Sequence, residues 1–378
     1  MKYRRFGKTG WDSSVIGFRV MALPGFIAGN TDEEKTINII RYAVEKGINY
    51  IDTGVPHFPE TQEKFAALTG KALSGGFREK VKIAATLPSL HVENGDDFNR
   101  YLDNQLRLLD EDSIDFYSVG FLNRSSWARL KEIKITDYVE KALSDSRIKY
   151  AGFYMHDDFQ VLRDIISGYD NWTFARFSYS YMDVDHHPGT GGIRFASEKG
   201  LAVVVSDPLR NGRLIRNIPD QVSGIWGTAP VKRNPVERGL GWAWNLKEVS
   251  TVLSDMADIS EIDENSGYAE EAEPESVSLM EEIIMGRARN CYQDMRPIKC
   301  TACRCCMPCS VNIDVPRIFE IYNDAVIYND IHTGGYLYAG EMHNTEACIG
   351  CGQCISACPR EIPINEWLDK AVELLKDL

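Results

Sequence analysis

The sequence predicts an α/β protein, a TIM (β/α)8 barrel followed by a small α-helical domain organised around cysteine. Three observations carry this. Short apolar, β-branched runs alternate with helical stretches up to about residue 256. The runs are near-continuously apolar rather than alternating, as in a parallel sheet covered on both faces. All ten cysteines fall in the last 88 residues. Eight β/α units in about 250 residues match the size and count of the barrel; an open doubly wound sheet is the alternative arrangement.

Taken in order, the eight strand candidates are 15–20, 48–53, 81–86, 114–120, 149–155, 174–180, 202–206 and 250–254. After the first, Thr31 and Glu34 are placed as a capping box, Ile37, Ile40 and Val44 share a face, and Gly47 stops the helix. After the third, Phe98, Leu102, Leu106 and Leu109 repeat at helical spacing. From 248 to 286 the chain holds twelve Asp or Glu and no Lys or Arg, which reads as a solvated helix and linker. Pro316 opens a helix with Phe319, Tyr322 and Val326 on one face, and a last helix runs over 364–375. The expected domains are 1–284 and 285–378.

Composition bounds function. A net charge of -13 and a pI near 5.1 argue against nucleic acid, which requires a basic stripe. No run approaches the ~20 apolar residues of a membrane span. The basic N-terminus lacks the apolar segment of a secretory signal, so a cytoplasmic, reducing setting is expected.

Eight cysteines form two runs, Cys300-x2-Cys303-x2-Cys306-x2-Cys309 and Cys348-x2-Cys351-x2-Cys354-x3-Cys358-Pro359. The second has the spacing of bacterial two-cluster [4Fe-4S] ferredoxins, in which the fourth cysteine of a run serves the other cluster. The expected ligand sets are Cys300, Cys303, Cys306 and Cys358 for one cluster and Cys348, Cys351, Cys354 and Cys309 for the other. Zinc is disfavoured because paired C-x2-C steps satisfy it, whereas each run offers three evenly spaced thiols plus one. Cys305, beside Cys306, could compete as a ligand, and Cys291 reads as a small buried apolar residue.

Beyond the cysteines, Tyr3-Arg-Arg-Phe-Gly-Lys-Thr-Gly10, Gly47-Ile-Asn-Tyr-Ile-Asp-Thr53, Lys80-Val-Lys-Ile-Ala-Ala-Thr-Leu-Pro88, Ala202-Val-Val-Val-Ser-Asp-Pro-Leu209 and Val249-Ser-Thr-Val-Leu-Ser-Asp-Met256 resemble the aldo/keto reductase family. The closer resemblance is to its prokaryotic branch with a C-terminal ferredoxin-type domain. That implies a site at the C-terminal mouth of the barrel. It also implies NADPH, a proton-donating tyrosine, a lysine paired to an aspartate that acidifies it, and a carbonyl-orienting histidine.

Carried over position by position, the aspartate is Asp52. The tyrosine position holds His57, the lysine position Thr86 and the histidine position Gly120. A Gly-Thr pair near the nicotinamide is Arg19-Val20, a strand-six asparagine is Ser180, and the glycine before Met256 is Asp255. Pro208, Leu209, Glu264 and Asn265 of the nucleotide site remain. A carboxylate at a phosphate-binding helix end opposes an anion, which puts NADPH in doubt.

Arg19, Asp52, His57 and His156 are expected at strand C-termini, with an Arg19–Asp52 ion pair across the mouth and His57 as a proton donor. The two histidines and a carboxylate could instead make a metal site, though they come from distant strands. The leading expectation is an iron-sulfur oxidoreductase relaying single electrons to or from a redox partner such as a ferredoxin. A small-molecule substrate is placed at the barrel mouth. The alternatives are an NADPH-dependent carbonyl reductase using His57 as the acid, and a non-enzymatic adaptor in an electron-transfer complex.

Overall fold

The structure, a computed structural model, describes residues 1–20, 32–54, 57–186 and 188–376. It divides into two compact units, Met1–Asn211 with Arg233–Leu279, and Gly212–Lys232 with Met280–Leu378.

The first unit opens with an antiparallel hairpin, β1 (Tyr3–Arg5) and β2 (Asp12–Ser14). Eight parallel strands follow: β3 (Ile16–Arg19), β4 (Tyr50–Asp52), β5 (Lys82–Leu87), β6 (Ile114–Leu122), β7 (Ile148–Met155), β8 (Trp172–Ser178), β9 (Ala202–Ser206) and β10 (Val249–Ser254). They close into a barrel in chain order, β10 pairing with both β9 and β3. All eight strands expected from sequence are present, and the closed barrel replaces the doubly wound alternative.

The hairpin was not foreseen, since three-residue strands carry too little pattern to read. It brings Phe6, fully buried, against Phe116 at 4.5 Å between ring centroids. Phe6, Tyr50, Ala84, Phe116, Phe174, Ala202, Val204 and Leu253 form one apolar cluster inside the barrel.

Local signals explain the outer helices. Helix Glu33–Glu45 is capped by Asp32, whose side chain accepts from the Lys35 amide at 3.0 Å; the expected cap, Thr31, lies outside the described residues. Helix Gly95–Leu109 starts at an Asn94–Asp97 capping box and buries Phe98, Leu102, Leu106 and Leu109, the face read from sequence. The acidic stretch resolves into β10, the Asp258-capped helix Ile259–Glu270 and the first turn of helix Leu279–Asp294.

In the second unit, helix Val315–Ile327 begins at an Asp314 cap with Pro316 in its first turn. Its buried face is Ile318, Phe319, Ile321 and Ala325; Tyr322 is half-buried and Val326 is 42% exposed, so the apolar stripe is rotated from the expected one. Helix Ile331–Gly340 was not anticipated, and helix Ile364–Leu375 stands where expected. Ile313, Ile318, Phe319, Ile364 and Leu368 centre the core, with Cys300, Cys306, Cys309, Cys354 and Cys358 packed against it. Among the described residues no helix is long and apolar enough to cross a membrane.

Candidate functional sites: the cysteine runs and the barrel mouth

Both cysteine runs are approached through a hydrogen-bonded anchor. Two residues before Cys300, the Ile298 amide and carbonyl each bond the Asn323 side chain at 2.9 Å. Three residues before Cys348, Thr345 bonds Tyr338 through its hydroxyl at 2.7 Å and its amide at 3.2 Å.

Beyond the anchors the two loops follow one plan. Positive φ recurs two and four residues after the first cysteine of each, at Ala302 (53°) and Arg304 (59°) in one and Gly350 (66°) and Gly352 (70°) in the other. Such alternation turns successive N–H groups inward, the concavity found around iron-sulfur centres. Glycine adopts this conformation freely; Ala302 and Arg304 do so at a steric cost, which points to a constraint imposed on the loop. The Ala302 amide donates to Cys300 Sγ at 3.4 Å.

All ten cysteines are free of disulfides, and their mutual electrostatics group them. Burial, then Cys303 and Cys358, push the Cys300 thiol up. Burial, then Cys300, Cys303 and Cys354, push Cys306 up to about 12. Cys354 is raised by burial and by Cys348 and Cys351. Cys303 and Cys358 thus act on Cys300, Cys300 and Cys303 on Cys306, and Cys348 and Cys351 on Cys354, while Cys354 also acts on Cys306. Cys305 is exposed, its thiol directed at the Cys303 carbonyl.

Two runs of four thiols, with positive φ repeated at the same places in both loops, fit two [4Fe-4S] clusters. Among the described residues no three His, Cys, Asp or Glu side chains converge as ligands of a single ion.

In the barrel, alternation along each strand assigns the interior. Moving up two residues from the apolar interior positions Tyr50, Ala84, Phe116 and Phe174 reaches Asp52, Thr86, Ser118 and Arg176. Arg19, Tyr154, Ser178, Ser206 and Asp255 complete a polar layer at the strand C-termini.

The expected Arg19–Asp52 pair does not form, although the two are register partners on β3 and β4. Arg19 instead clamps Asp255 with two guanidinium nitrogens, meets Asp207 at 2.9 Å and donates to Asn211 at 3.3 Å. Asp52 accepts from Arg176 at 3.0 Å and from the Gly54 amide at 2.9 Å. A guanidinium is long and planar enough to satisfy a carboxylate on another strand, so Arg176 reaches Asp52 across the barrel while Arg19 turns to Asp255 at the end of the neighbouring strand β10.

Arg176 also covers the Tyr154 ring at 5.1 Å, and the Tyr154 hydroxyl lies 3.2 Å from Ser178, which donates to Asp207 at 2.9 Å. Burial, then Asp207, raise the Tyr154 phenol. Burial opposes the Asp207 charge, but Arg19 and Arg176 outweigh it and hold this carboxyl below its usual range. Burial likewise opposes the Arg19 charge, and Asp207 and Asp255 outweigh it, leaving Arg19 a permanent cation.

A depressed carboxyl contributes stability that is present above its unfolded pKa and lost as pH falls through the folded one. Asp207→Asn is therefore expected to lose less thermal stability than the parent between pH 6 and pH 3, as read by calorimetry of both proteins.

Of the other predicted residues, His57 is buried with its ring 4.5 Å from Phe121, and its carbonyl bonds the His91 ring at 2.7 Å. The His156 amide bonds the Leu122 carbonyl at 2.9 Å. Asn265 is buried and donates to Ser254 at 3.2 Å. Pro208 is buried, and Leu209 packs so closely on Gly239 that a Cβ there would come within 2.4 Å. Thr86 and Ser118, at 2.7 Å, bond each other.

Sequence reasoning missed Arg176, Tyr154, Ser178 and Asp207 as parts of the mouth. A legible signal existed: arginine inside a buried apolar strand is rare unless paired.

The chain thus combines a closed parallel (β/α)8 barrel with a unit that carries two four-cysteine runs. The chain belongs to the aldo/keto reductase family, whose pattern matches residues 20–284, and residues 299–362 match the 4Fe-4S dicluster domain. An aldo-keto reductase of Bacillus subtilis (strain 168), YhdN, is 36% identical over 129 residues, covering 32% of this chain and 38% of that protein. Probable aldo-keto reductase 1 of Glycine max is 28% identical over 159 residues, covering 39% and 43%. The chain thus spans less than half the length of these relatives.

Two solved structures share the barrel. An aldo-keto reductase of Bacillus halodurans in its holo form has a TM-score of 0.61 at 21% identity, with 76% of this chain and 96% of that one covered. One from Klebsiella pneumoniae in complex with NADPH has a TM-score of 0.62 at 17%, covering 76% and 94%. At these identities the likeness shows the fold.

Proposed function

We propose that the protein relays single electrons through its cysteine-bearing unit and that its barrel has left conventional NADPH-dependent carbonyl reduction. Cys300, Cys303, Cys306 and Cys358 would hold one [4Fe-4S] cluster and Cys348, Cys351, Cys354 and Cys309 the other, groups that supply one-electron chemistry when bound. The observation that carries this reading is the contrast between two complete thiol sets and a barrel mouth with neither a lysine nor a tyrosine at the inherited positions.

The Arg19 contacts support the second half. Arg19 and Asp255 stand at two positions where the resemblance implies glycine, and they bind each other. A nicotinamide nucleotide arriving there would have to break a part-buried, bidentate pair, and such pairs are among the stronger polar interactions.

The residues left at the mouth can hold a small polar substrate and place charge around it. His57 is its candidate proton-transfer group; the Tyr154 phenol, raised by burial, holds its proton, and the arginines stay charged and shuttle no protons.

Anaerobic titration with NADPH, NADH and a reduced low-potential ferredoxin, followed by visible absorbance and EPR, tests the proposal. Reduction by ferredoxin and none by either nicotinamide is expected. Rapid bleaching by NADPH would overturn it in favour of a carbonyl reductase with substituted residues.

A further inference from the structure

Charge in the second unit is segregated along the chain. The stretch 287–304 contains Arg287, Arg289, Arg296, Lys299 and Arg304 against Asp294 alone, a net of +4, in a protein of net -13. The stretch 305–378 contains eleven Asp or Glu against four Lys or Arg, a net of -7. The basic stretch leads directly into the first cysteine run.

In the structure Arg287 and Lys299 are exposed and Arg296 is half-buried. Arg296 stands four residues, and Lys299 one residue, before Cys300. Among the described residues Lys299 donates to the Asp294 carbonyl alone, at 2.7 Å, and a carbonyl leaves its charge unneutralised. Arg304 is held by Asp314 at 3.1 Å and shapes the loop instead. Beside these cations the Thr301–Ala302–Cys303 backbone and Cys305 are exposed.

We propose that this basic face, centred on Arg296 and Lys299 beside the first cysteine run, docks a small acidic one-electron carrier protein. The inference rests on the iron-sulfur reading and adds the sign of the partner and the place where it binds. The argument is charge complementarity. An acidic chain repels an acidic partner everywhere except at a patch of opposite sign, which both orients the encounter and raises its rate. Electron-transfer complexes are small and short-lived, so orientation by charge outweighs buried area. Charge around the second run is mixed, with Glu346, Arg360 and Glu361 flanking it and Lys376 paired to Glu346.

The test uses the full-length, iron-reconstituted protein under anaerobic conditions. Stopped-flow absorbance follows its reduction by a reduced acidic ferredoxin and, separately, by the methyl viologen radical cation. With ferredoxin the rate should fall about tenfold from low to moderate salt, the behaviour of a steered encounter. Arg296→Glu with Lys299→Glu should slow it about tenfold at low salt, and Arg296→Lys with Lys299→Arg should retain it. Viologen should reduce all three proteins at rates no lower than the parent's. Lys131→Glu with Lys247→Glu, the same net charge change in the other unit, should leave the ferredoxin rate within about twofold.

A salt-independent ferredoxin rate, or equal slowing by the two charge-reversed pairs, overturns the proposal. So does reduction by viologen but not by ferredoxin, or a rate set by the protein's own concentration, which would make a second copy the occupant. Failure with viologen as well removes the iron-sulfur reading itself, and the docking face with it.

Discussion

Replacing Cys358 with serine is expected to remove one cluster and spare the other, lowering iron from roughly eight to roughly four per chain. Cys358 follows three residues of the second run in sequence, yet its charge acts on Cys300 and Cys305 of the first. The cluster lost should therefore be the one lost on replacing Cys300 or Cys303. Its EPR signal should differ from the one lost with Cys348→Ser, Cys351→Ser or Cys354→Ser. Cys305→Ser should leave both signals, because its exposed thiol is directed at a carbonyl. Iron analysis and EPR of dithionite-reduced variants decide the matter. If Cys358→Ser and Cys354→Ser abolish the same signal, each run holds its own cluster and the crossed ligand set is wrong.

The crossed assignment rests on the spacing known from bacterial two-cluster ferredoxins, and the cysteine variants above test it. The loop conformation was half-legible: Gly350 and Gly352 announce positive φ, but Ala302 and Arg304 do so with no glycine to mark them. The barrel was legible for a different reason. Eight buried strands must be apolar on both faces, and that requirement writes itself into composition at each run.

Partners at the mouth were much less legible. Arg19 and Asp52 are adjacent in register, and strand position alone pairs them. What separates them is side-chain reach, together with Asp255, Asp207 and Arg176, which arrive from strands far off in sequence. Periodicity places Arg176 two residues after Phe174 and hence inside the barrel, but nothing in one strand reveals which carboxylate lies opposite. The hairpin failed to register for want of length, and the rotated stripe of helix Val315–Ile327 because its sequence, Ile318, Phe319, Ile321, Tyr322 and Val326, is apolar on more than one face.

The second large effect is expected at the Arg176–Asp52 pair. Both side chains are about 3% exposed and 3.0 Å apart, so removing one leaves a buried charge without its counter-ion. Arg176→Ala should destabilise the barrel by about 3–5 kcal/mol, which for a domain of this size lowers the thermal midpoint by roughly 6–20 °C. Asp52→Ala should cost a similar amount. Asp52→Asn should cost less, since an amide oxygen still accepts from Arg176 and from the Gly54 amide.

Replacing both partners with apolar residues, Arg176→Met and Asp52→Leu, should recover most of the loss, because buried pairs are worth little net against well-packed hydrophobes. That double variant carries the functional information. A protein that is stable and still passes electrons to its partner, but no longer turns over any barrel substrate, assigns the pair to chemistry at the mouth. One that is stable and unchanged in every redox assay makes the pair a structural replacement for the lost lysine–aspartate arrangement. A thermal midpoint for Arg176→Ala within about 2 °C of the parent, less than 1 kcal/mol, would mean that water reaches the site and that the mouth is more open than its contacts indicate.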